Sequence, residues 1–522
     1  MISVKEGACK RVILSDGEGG AGATFEVEGE MTGSEPRGVG RRGVLAGFGA
    51  GAGLAGLAGI RPAGAATLLP EPETAHDFDV VVIGAGMAGC AAALEAAETG
   101  ARVVVLEKSA AGVMGGNTRL SGGGFSKPQG DDAAAREAYV TDYDETTLGR
   151  GNRAIFELMA ETSAANLDWL TGHGVSFEEP APWDPYNVDV AVVSPGWFMG
   201  MSGFFTRMRE RFDELGIEIA FETKAQALVM DSTGAVAGVR AAVPGGLADY
   251  RSGAVVIAAG GYAANTQMLE AYNDPNAGAM MVRGYRGATG DGHRMAEAAG
   301  AGLTAMGGMM ALHIAAVAPD STAAGQPASA IPHALSINRD GERFIDESRG
   351  YVAHGKAVLD QREGVTTLII DQAIRDMGPV SGVFATFDRL GLDIVEADTL
   401  EELAERVGLP PERMSQTVAA YNDAIENGAA PGVAPPKAQL AHPVSTPPFY
   451  ALHPLAPGIT LTFGGVMTDA EARALEADGR VIPGLYAAGE GAGGAFFEDY
   501  IGGGALTMCL TMGRIAGRGA AG

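Results

Sequence analysis

The chain has 522 residues, 46% of them hydrophobic, which is enough apolar material for a large core divided between two domains. Its 64 acidic and 37 basic residues give a formal net charge of -27, which argues against nucleic acid or an anionic membrane surface as a partner. Cys9, Cys90 and Cys509 are isolated from one another, so the sequence offers neither a disulfide framework nor a metal-binding spacing.

The amino-terminal segment, residues 1–75, differs in composition from the rest of the chain. Arg41 and Arg42 precede a Gly/Ala/Leu run that ends at Ile60 and is followed by RPAGAA. This pattern is typical of a twin-arginine export signal, whereas a membrane-spanning helix needs about 20 strongly apolar residues. We predict export to the periplasm or cell envelope, with cleavage near Ala66 and translation starting at Met1 or Met31. The alternative is a flexible linker on a cytoplasmic protein.

The organised chain is predicted to begin near Asp77 with a dinucleotide-binding fingerprint. Residues 80–83 and 103–106 are apolar runs suited to buried parallel strands, and residues 91–97 favour a helix. Between the first strand and this helix lies G-x-G-x-x-G, formed by Gly84, Gly86 and Gly89. These glycines permit a tight turn, close approach of a pyrophosphate and close helix packing, and Glu107 is placed to bind a ribose hydroxyl.

Three later segments predict that the dinucleotide is FAD. Residues 112–126 are too glycine-rich for a helix and present many backbone N–H groups. Residues 252–268 predict another buried strand and turn, and residues 481–517 predict a strand, an acidic turn at Glu490 and a closing helix. A nicotinamide cofactor that binds and leaves needs fewer segments, so FAD is favoured.

These segments resemble the flavoprotein superfamily of fumarate reductases, succinate dehydrogenase flavoprotein subunits and 3-ketosteroid 1-dehydrogenases. The resemblance is carried by the fingerprint, NTRLSGGG, TGDGHRMAEAAGA, SINRDGERFIDES and GLYAAGEGAGG. It implies an α/β fold in which a Rossmann-like FAD-binding domain is built from both ends of the chain, residues 76–274 and 441–522. An α+β capping domain that carries the substrate site is inserted at residues 275–440, and the Pro/Ala-rich residues 428–448 are a linker.

The resemblance also implies which residues contact FAD. The cofactor is expected to be non-covalent, because the GGNTRLSGGG loop contains no histidine. The expected contacts are Gly84, Gly86, Met87, Ala88, Gly89, Glu107, Lys108, Gly116, Asn117, Thr118, Ser121, Gly122, Gly123, Ala225, Ala259, Gly260, Gly489, Glu490, Gly504, Ala505 and Leu506.

The substrate class is predicted from three positions at which the fumarate-type enzymes carry two arginines and a histidine. This chain has Tyr351, Tyr500 and Thr460 at those positions, and none is charged. The pattern is closer to 3-ketosteroid 1-dehydrogenases, in which one tyrosine removes a proton alpha to a ketone and the beta hydrogen leaves as hydride to flavin N5. The resemblance gives Tyr351 the role of base, and it makes the Tyr500 hydroxyl and the Gly504 N–H the donors to the carbonyl oxygen. Tyr186 is a further candidate by position.

We therefore predict an FAD-dependent oxidoreductase that acts on CH–CH bonds next to the carbonyl of a largely apolar, 3-ketosteroid-like substrate, with an electron acceptor that the sequence does not name. The alternatives are an enone or acrylate reductase, an enzyme similar to tricarballylate dehydrogenase, and a non-catalytic flavin electron carrier. A structural role is favoured for the isolated histidines His293, His313, His333 and His354.

Overall fold

The structure is a computed structural model that describes residues 70–183, 185–196, 199–317, 325–349, 351–497 and 499–522. For residues 199, 279, 311–313, 351 and 352 it describes the backbone alone. The predicted export signal lies outside the described residues and stays a prediction. The strand Thr74–Asp77 comes first among the described strands, so regular structure begins slightly before the predicted start at Asp77.

A six-stranded sheet forms the centre of the dinucleotide-binding region. Its valine-rich strands are buried on both faces, as expected for parallel strands covered by helices. The predicted strands Val80–Ile83 and Val103–Leu106 are confirmed and pair in parallel. The order of strands across the sheet is Arg473–Leu475, Val481–Ala487, Val255–Ile257, Val80–Ile83, Val103–Leu106 and Glu218–Ala220.

The two ends of the chain meet on this sheet. The carboxy-terminal strand Val481–Ala487 pairs in parallel with Val255–Ile257, which pairs in turn with Val80–Ile83. The closing helix Gly504–Ala521 packs against the first helix, Met87–Glu98, because small residues line the contact: a Cβ added at Gly513 or Gly517 would overlap the backbone of Ala88 or Ala92.

The described residues also form three smaller sheets. The prediction that residues 112–126 are too glycine-rich for a helix was wrong, because four of them form the short helix Gly116–Arg119. The segment also contains the start of a strand, which pairs with a remote partner. The four-stranded sheet has the order Thr74–Asp77, Gly246–Arg251, Val236–Val243 and Lys224–Met230. The three-stranded sheet has the order Gly124–Pro128, Val188–Val192 and Ala181–Pro182, and Leu303–Thr304 pairs with Gly465–Val466.

A second six-stranded sheet has its own hydrophobic core. Its central strand, Phe449–Thr462, lies within residues 441–522, which were predicted to belong to the FAD-binding domain. The predicted domain boundaries stay predictions, but this strand contributes its hydrogen bonds to the second sheet. The partners of Phe449–Thr462 are Met281–Val282, Met309–Ala316, Thr366–Asp371 and Ile394–Ala397, and Leu335–Ile337 adds to Thr366–Asp371.

The helices cover the sheets. In the part of the chain that the structure describes, no helix is both long and apolar enough to cross a membrane. The α-helices are Met87–Glu98, Gly116–Arg119, Ala133–Thr146, Arg153–Gly172, Met199–Leu215, Thr266–Tyr272, Asp291–Ala298, Tyr351–Leu359, Gln372–Arg375, Gly378–Leu390, Leu400–Val407, Pro411–Asp423 and Gly504–Ala521. Short 3₁₀ turns span Ala277–Ala279, Ile331–His333, Glu347–Arg349, Arg362–Gly364 and Gly489–Gly491.

Candidate active site

A cavity of about 560 Å³ lies where the fingerprint, the glycine-rich segment and the start of the closing helix meet. Most of the predicted cofactor contacts line this cavity, although they come from segments far apart in the sequence. The predicted contacts that line it are Gly84, Gly86, Met87, Ala88, Glu107, Lys108, Gly116, Asn117, Thr118, Ser121, Gly122, Gly123, Ala225, Ala259, Gly260, Gly489, Glu490, Ala505 and Leu506.

The three fingerprint glycines differ in what surrounds them. Gly84 has a φ of +102°, and a Cβ added there would lie 2.5 Å from the Ala258 carbonyl oxygen. A Cβ on Gly89 would overlap the Gly84 carbonyl oxygen, so this glycine serves helix packing and does not line the cavity. At Gly86 the nearest atoms to an added Cβ are 3.7 Å away, on Gly115 and Thr118. The space in front of the helix amino terminus is therefore open, as binding of a pyrophosphate requires.

Glu107 follows the strand Val103–Leu106 and is buried. Its carboxylate oxygens accept hydrogen bonds from the Ala85 N–H at 3.0 Å and the Ser109 N–H at 2.8 Å. Each carboxylate oxygen retains a further lone pair that can accept a hydrogen bond from a ribose hydroxyl. The position of Glu107 therefore fits its predicted role.

Asn117 and Glu490 connect the glycine-rich segment with the carboxy-terminal region. The Asn117 amide nitrogen donates to the Thr460 carbonyl oxygen at 3.1 Å and to a Glu490 carboxylate oxygen at 3.0 Å. The other Glu490 oxygen accepts from the Thr462 N–H at 3.0 Å. Burial raises the pKa of Glu490, although these hydrogen bonds oppose the shift. We call Gly86, Glu107, Asn117, Thr118 and Glu490 the polar part of the cavity.

Asp291 lies within the TGDGHR motif but was not predicted to be a site residue. It lines the cavity, and its carboxylate lies 2.8 Å from Lys108 Nζ, 3.3 Å from Lys224 Nζ and 2.6 Å from Arg294 Nη2. Burial by itself would raise the pKa of Asp291, but the hydrogen bond and charge of Lys108 lower it below its usual range. The two lysines among the described residues of the cavity wall are thus both paired with this carboxylate.

Aromatic and aliphatic side chains form a second region of the wall. Tyr500 packs with its ring centroid 5.8 Å from that of Phe496 and 6.4 Å from that of Phe463. Trp183 and the predicted Tyr186 also line the cavity. We call Trp183, Tyr186, Phe463, Phe496 and Tyr500 the aromatic part. Of these five, Trp183, Phe463 and Phe496 were missed from the sequence, because they come from remote segments with no shared motif.

The three glycines after Tyr500 are required by packing. A Cβ on Gly502 would lie 2.7 Å from the Trp183 indole, and one on Gly503, whose φ is +84°, would lie 2.7 Å from the Ser126 backbone nitrogen. A Cβ on Gly504 would overlap the Tyr143 hydroxyl. The run therefore lets a loop, a strand and a helix approach the turn that carries Tyr500.

The predicted role of Gly504 as a donor to the substrate carbonyl does not fit this geometry. Its N–H donates to the Ile501 carbonyl oxygen at 2.9 Å, and Gly504 is not among the residues that line the cavity. Ala505 and Leu506 do line the cavity, and they belong to the first turn of the closing helix, where N–H groups have no intrahelical partner. The positive end of that helix therefore faces the cavity through these two residues.

Tyr351 is the first residue of the helix Tyr351–Leu359, and its side chain lies outside what the structure describes. The 3₁₀ turn Glu347–Arg349 comes shortly before it. Arg349, which was not predicted, lines the cavity. The signal that could have identified it is its position, two residues before the predicted base.

The described side chains of the predicted structural histidines lie outside the cavity wall. His293 is buried and its Nε2 lies 2.9 Å from the Gly464 carbonyl oxygen. His333 Nδ1 lies 3.1 Å from His442 Nε2, and His354 is buried against Ser336. These contacts agree with a structural role. The structure does not describe the side chain of His313.

Comparisons with known proteins identify the family and the cofactor. The FAD binding domain family matches residues 79–505. A urocanate reductase from Eggerthella lenta is 31% identical over 471 residues, which cover 87% of this chain and 76% of the relative. The predicted resemblance and the FAD cofactor are thereby confirmed.

Two solved structures share the fold. The open conformation of a flavocytochrome c3 fumarate reductase has a TM-score of 0.72 and 28% identity, covering 86% of this chain and 78% of that one. The 3-ketosteroid-Δ4-(5α)-dehydrogenase from Rhodococcus jostii RHA1, solved with 4-androstene-3,17-dione, has a TM-score of 0.68 and 27% identity. The match covers 89% of this chain and 100% of that one. The predicted α/β flavoprotein fold is confirmed, and the relatives include both reductases and a dehydrogenase.

Proposed function

The chain belongs to the FAD binding domain family and is an FAD-dependent oxidoreductase related to the fumarate reductases, and from this premise we propose that it dehydrogenates the bond alpha,beta to the carbonyl of a largely apolar, 3-ketosteroid-like substrate. The observation that carries the proposal is the aromatic part of the cavity, which includes Tyr500 at a position where the fumarate-type pattern has an arginine. Apolar and aromatic walls suit a substrate with an extended apolar body.

The charged residues support the same conclusion. A dicarboxylate would be held by two arginines, whereas Arg349 is the one arginine among the described residues that line the cavity. Lys108 and Lys224 are paired with Asp291. A substrate with two carboxylates would leave at least one of them without a strong partner.

In this proposal the polar part and the helix amino terminus hold the cofactor. Gly86 leaves room for the pyrophosphate, Glu107 accepts from the ribose, and Ala505 and Leu506 present N–H groups. When bound, FAD accepts or supplies the hydride of the reaction.

The tyrosines supply the acid–base chemistry of the proposal. Tyr351 takes the proton alpha to the carbonyl, because a phenol can both lose and donate a proton. Tyr500 donates a hydrogen bond to the carbonyl oxygen as negative charge develops there. The buried rings of Phe463 and Phe496 pack beside Tyr500 and make its surroundings less polar, which strengthens this hydrogen bond.

A second candidate is reduction of an enone or acrylate on the same scaffold. The 31% identity to a urocanate reductase favours this direction. The same residues would serve, with Tyr351 returning a proton to the alpha carbon instead of removing one.

One anaerobic experiment tests both candidates. Oxidised enzyme is mixed with 3-ketosteroids and bleaching of the flavin absorbance is followed; chemically reduced enzyme is mixed with urocanate, an enone or fumarate and return of the absorbance is followed. We expect ketosteroids to bleach the oxidised flavin. Re-oxidation by urocanate or an enone without any bleaching would select the second candidate, and rapid re-oxidation by fumarate alone would contradict both.

A further inference from the structure

Among the described residues that line the cavity, one cation has no partner. Arg349 is exposed, and the structure gives its guanidinium no hydrogen-bond or ion-pair partner among the described residues. The other two cations of the described wall, Lys108 and Lys224, are bound to Asp291. Of the three cations among the described residues of the wall, Arg349 is therefore the one whose charge is available to a ligand.

The carboxylates nearest to Arg349 in sequence are committed elsewhere. Asp346 accepts hydrogen bonds from the Ser348 N–H at 3.0 Å and hydroxyl at 2.6 Å and from the Ala438 N–H at 3.2 Å. Glu347 is buried, with Arg343 Nη2 at 2.7 Å and Lys437 Nζ at 3.7 Å. Neither carboxylate is positioned to neutralise Arg349.

The same contacts hold the turn that carries Arg349 in place. Glu347 accepts a hydrogen bond from the Ser336 N–H at 2.9 Å, which ties the turn to the second sheet. The Arg349 N–H donates to the Asp346 carbonyl oxygen at 3.2 Å. Because the backbone at Arg349 is held in this way, binding of an anion has to order only the side chain.

We propose that Arg349 binds one carboxylate of the substrate, so that the natural substrate is a monoanion with an apolar, carbonyl-bearing body. This inference rests on the proposed function and deepens it. A guanidinium binds a carboxylate through two parallel hydrogen bonds, whereas the aromatic part accepts the apolar remainder. Arg349 would have to attract the substrate carboxylate at short range, because the protein's net charge of -27 repels anions at long range.

The test compares each acid with its methyl ester. Equilibrium binding to the oxidised enzyme is measured from the change in flavin absorbance, with 3-keto-1,4-diene steroids that differ in the length of a side chain ending in a carboxylate. These ligands are already dehydrogenated beside the ketone, so they cannot bleach the flavin by that reaction. We expect at least one acid to bind about 10- to 100-fold more tightly than its ester, the range of a charge-assisted hydrogen bond. Arg349→Gln should reduce this preference to near unity, and Arg349→Lys should restore part of it.

The matched control is Arg362→Gln, which removes an exposed arginine of a neighbouring turn that does not line the cavity and is paired with Asp340. This variant should keep the wild-type preference and the wild-type flavin content. Equal binding of acids and esters by the wild type, or an unchanged preference in Arg349→Gln, would overturn the inference. So would loss of FAD affinity in Arg349→Gln with the preference intact, since Arg349 would then serve the cofactor.

Turnover is read separately from binding. Ketosteroids that bleach the flavin equally as acid and ester would refute the role of Arg349 while leaving the proposed dehydrogenation standing. A carboxylate preference that depends on Arg349, without flavin bleaching by any ketone, would instead support the binding role and reject the dehydrogenation.

Discussion

The polar part and the aromatic part of the cavity are held in place by different interactions. In the polar part, Glu107 and Glu490 bind backbone N–H groups, and Thr118 accepts from the Met87 N–H at 3.1 Å. In the aromatic part, Tyr500 and Phe496 are placed by ring packing. The first arrangement depends on backbone geometry and the second on the identity of side chains from remote segments. Cofactor binding and substrate choice can therefore be changed separately.

The largest effect is expected from a substitution that blocks the polar part of the cavity. Gly86→Leu should abolish FAD binding, because the side chain would occupy the open space in front of the helix Met87–Glu98. The purified variant should be colourless, and its unfolding should show no stabilisation by added FAD. The control Gly382→Leu changes an exposed helical glycine with no neighbour within 4 Å and should stay yellow. A yellow Gly86→Leu protein would contradict the assignment of the pyrophosphate site.

The next largest effect should be on turnover of the substrate, with cofactor binding unchanged. Tyr351→Phe should keep its flavin yet lose turnover by about 10² to 10⁴, the usual contribution of a general base, because the ring remains and the acid–base oxygen is removed. Stopped-flow bleaching with a ketosteroid measures the loss, and flavin content measures integrity. Full activity of this variant would remove Tyr351 from the mechanism.

A smaller loss is expected from the aromatic part itself. Tyr500→Phe keeps the ring that packs on Phe496 and removes the hydroxyl proposed to bind the substrate carbonyl. The loss should be on the order of 10² to 10³ in kcat, with little change in substrate affinity, because the hydrogen bond strengthens as the enolate forms. A rise in KM with kcat unchanged would mean that Tyr500 binds the ground state and the transition state equally.

The same comparison explains which features could be predicted from the sequence. The strands Val80–Ile83 and Val103–Leu106 were predictable because continuous valine-rich runs between turn residues leave few alternatives. Glu107 directly follows the second of these strands, and Glu490 lies in a turn shortly after the strand Val481–Ala487. The first helix begins at Met87, earlier than the predicted Ala91, because helical dihedral angles start directly after Gly86.

The aromatic part could be predicted only in fragments. Trp183, Phe463 and Phe496 meet through tertiary packing, which leaves no periodic signal in the sequence. Gly504 was assigned to the substrate because of its motif, but its N–H forms a local bond with Ile501 and its missing side chain makes room for Tyr143. A motif identifies a glycine without identifying the neighbour that requires it.

The smallest expected effect concerns the buried residues around Glu347, in the turn that carries Arg349, and should leave both parts of the cavity intact. His354 is buried beside Ser336, and its pKa is lowered from 6.5 to about 4, mainly by burial, with a further contribution from the Lys437 charge and opposition from Glu347. The unfolded chain therefore binds more protons than the folded chain between these pH values. The stability that depends on neutral His354 is complete above about pH 6.5 and is lost as the pH falls toward about 4.

His354→Gln tests this linkage, since glutamine keeps a hydrogen-bonding group and does not titrate. Between about pH 7.5 and about pH 5, the free energy of unfolding of the holoenzyme should fall by about 2 kcal/mol less in the variant than in the wild type. Urea denaturation at the two pH values measures the difference. His453, whose pKa is also lowered to about 4, mainly by burial, is present in both proteins and cancels in the comparison. An equal fall in both proteins would show that folding does not lower the pKa of His354. Protonated His354 would then be a third cation near the buried Glu347 carboxylate, beside Arg343 and Lys437.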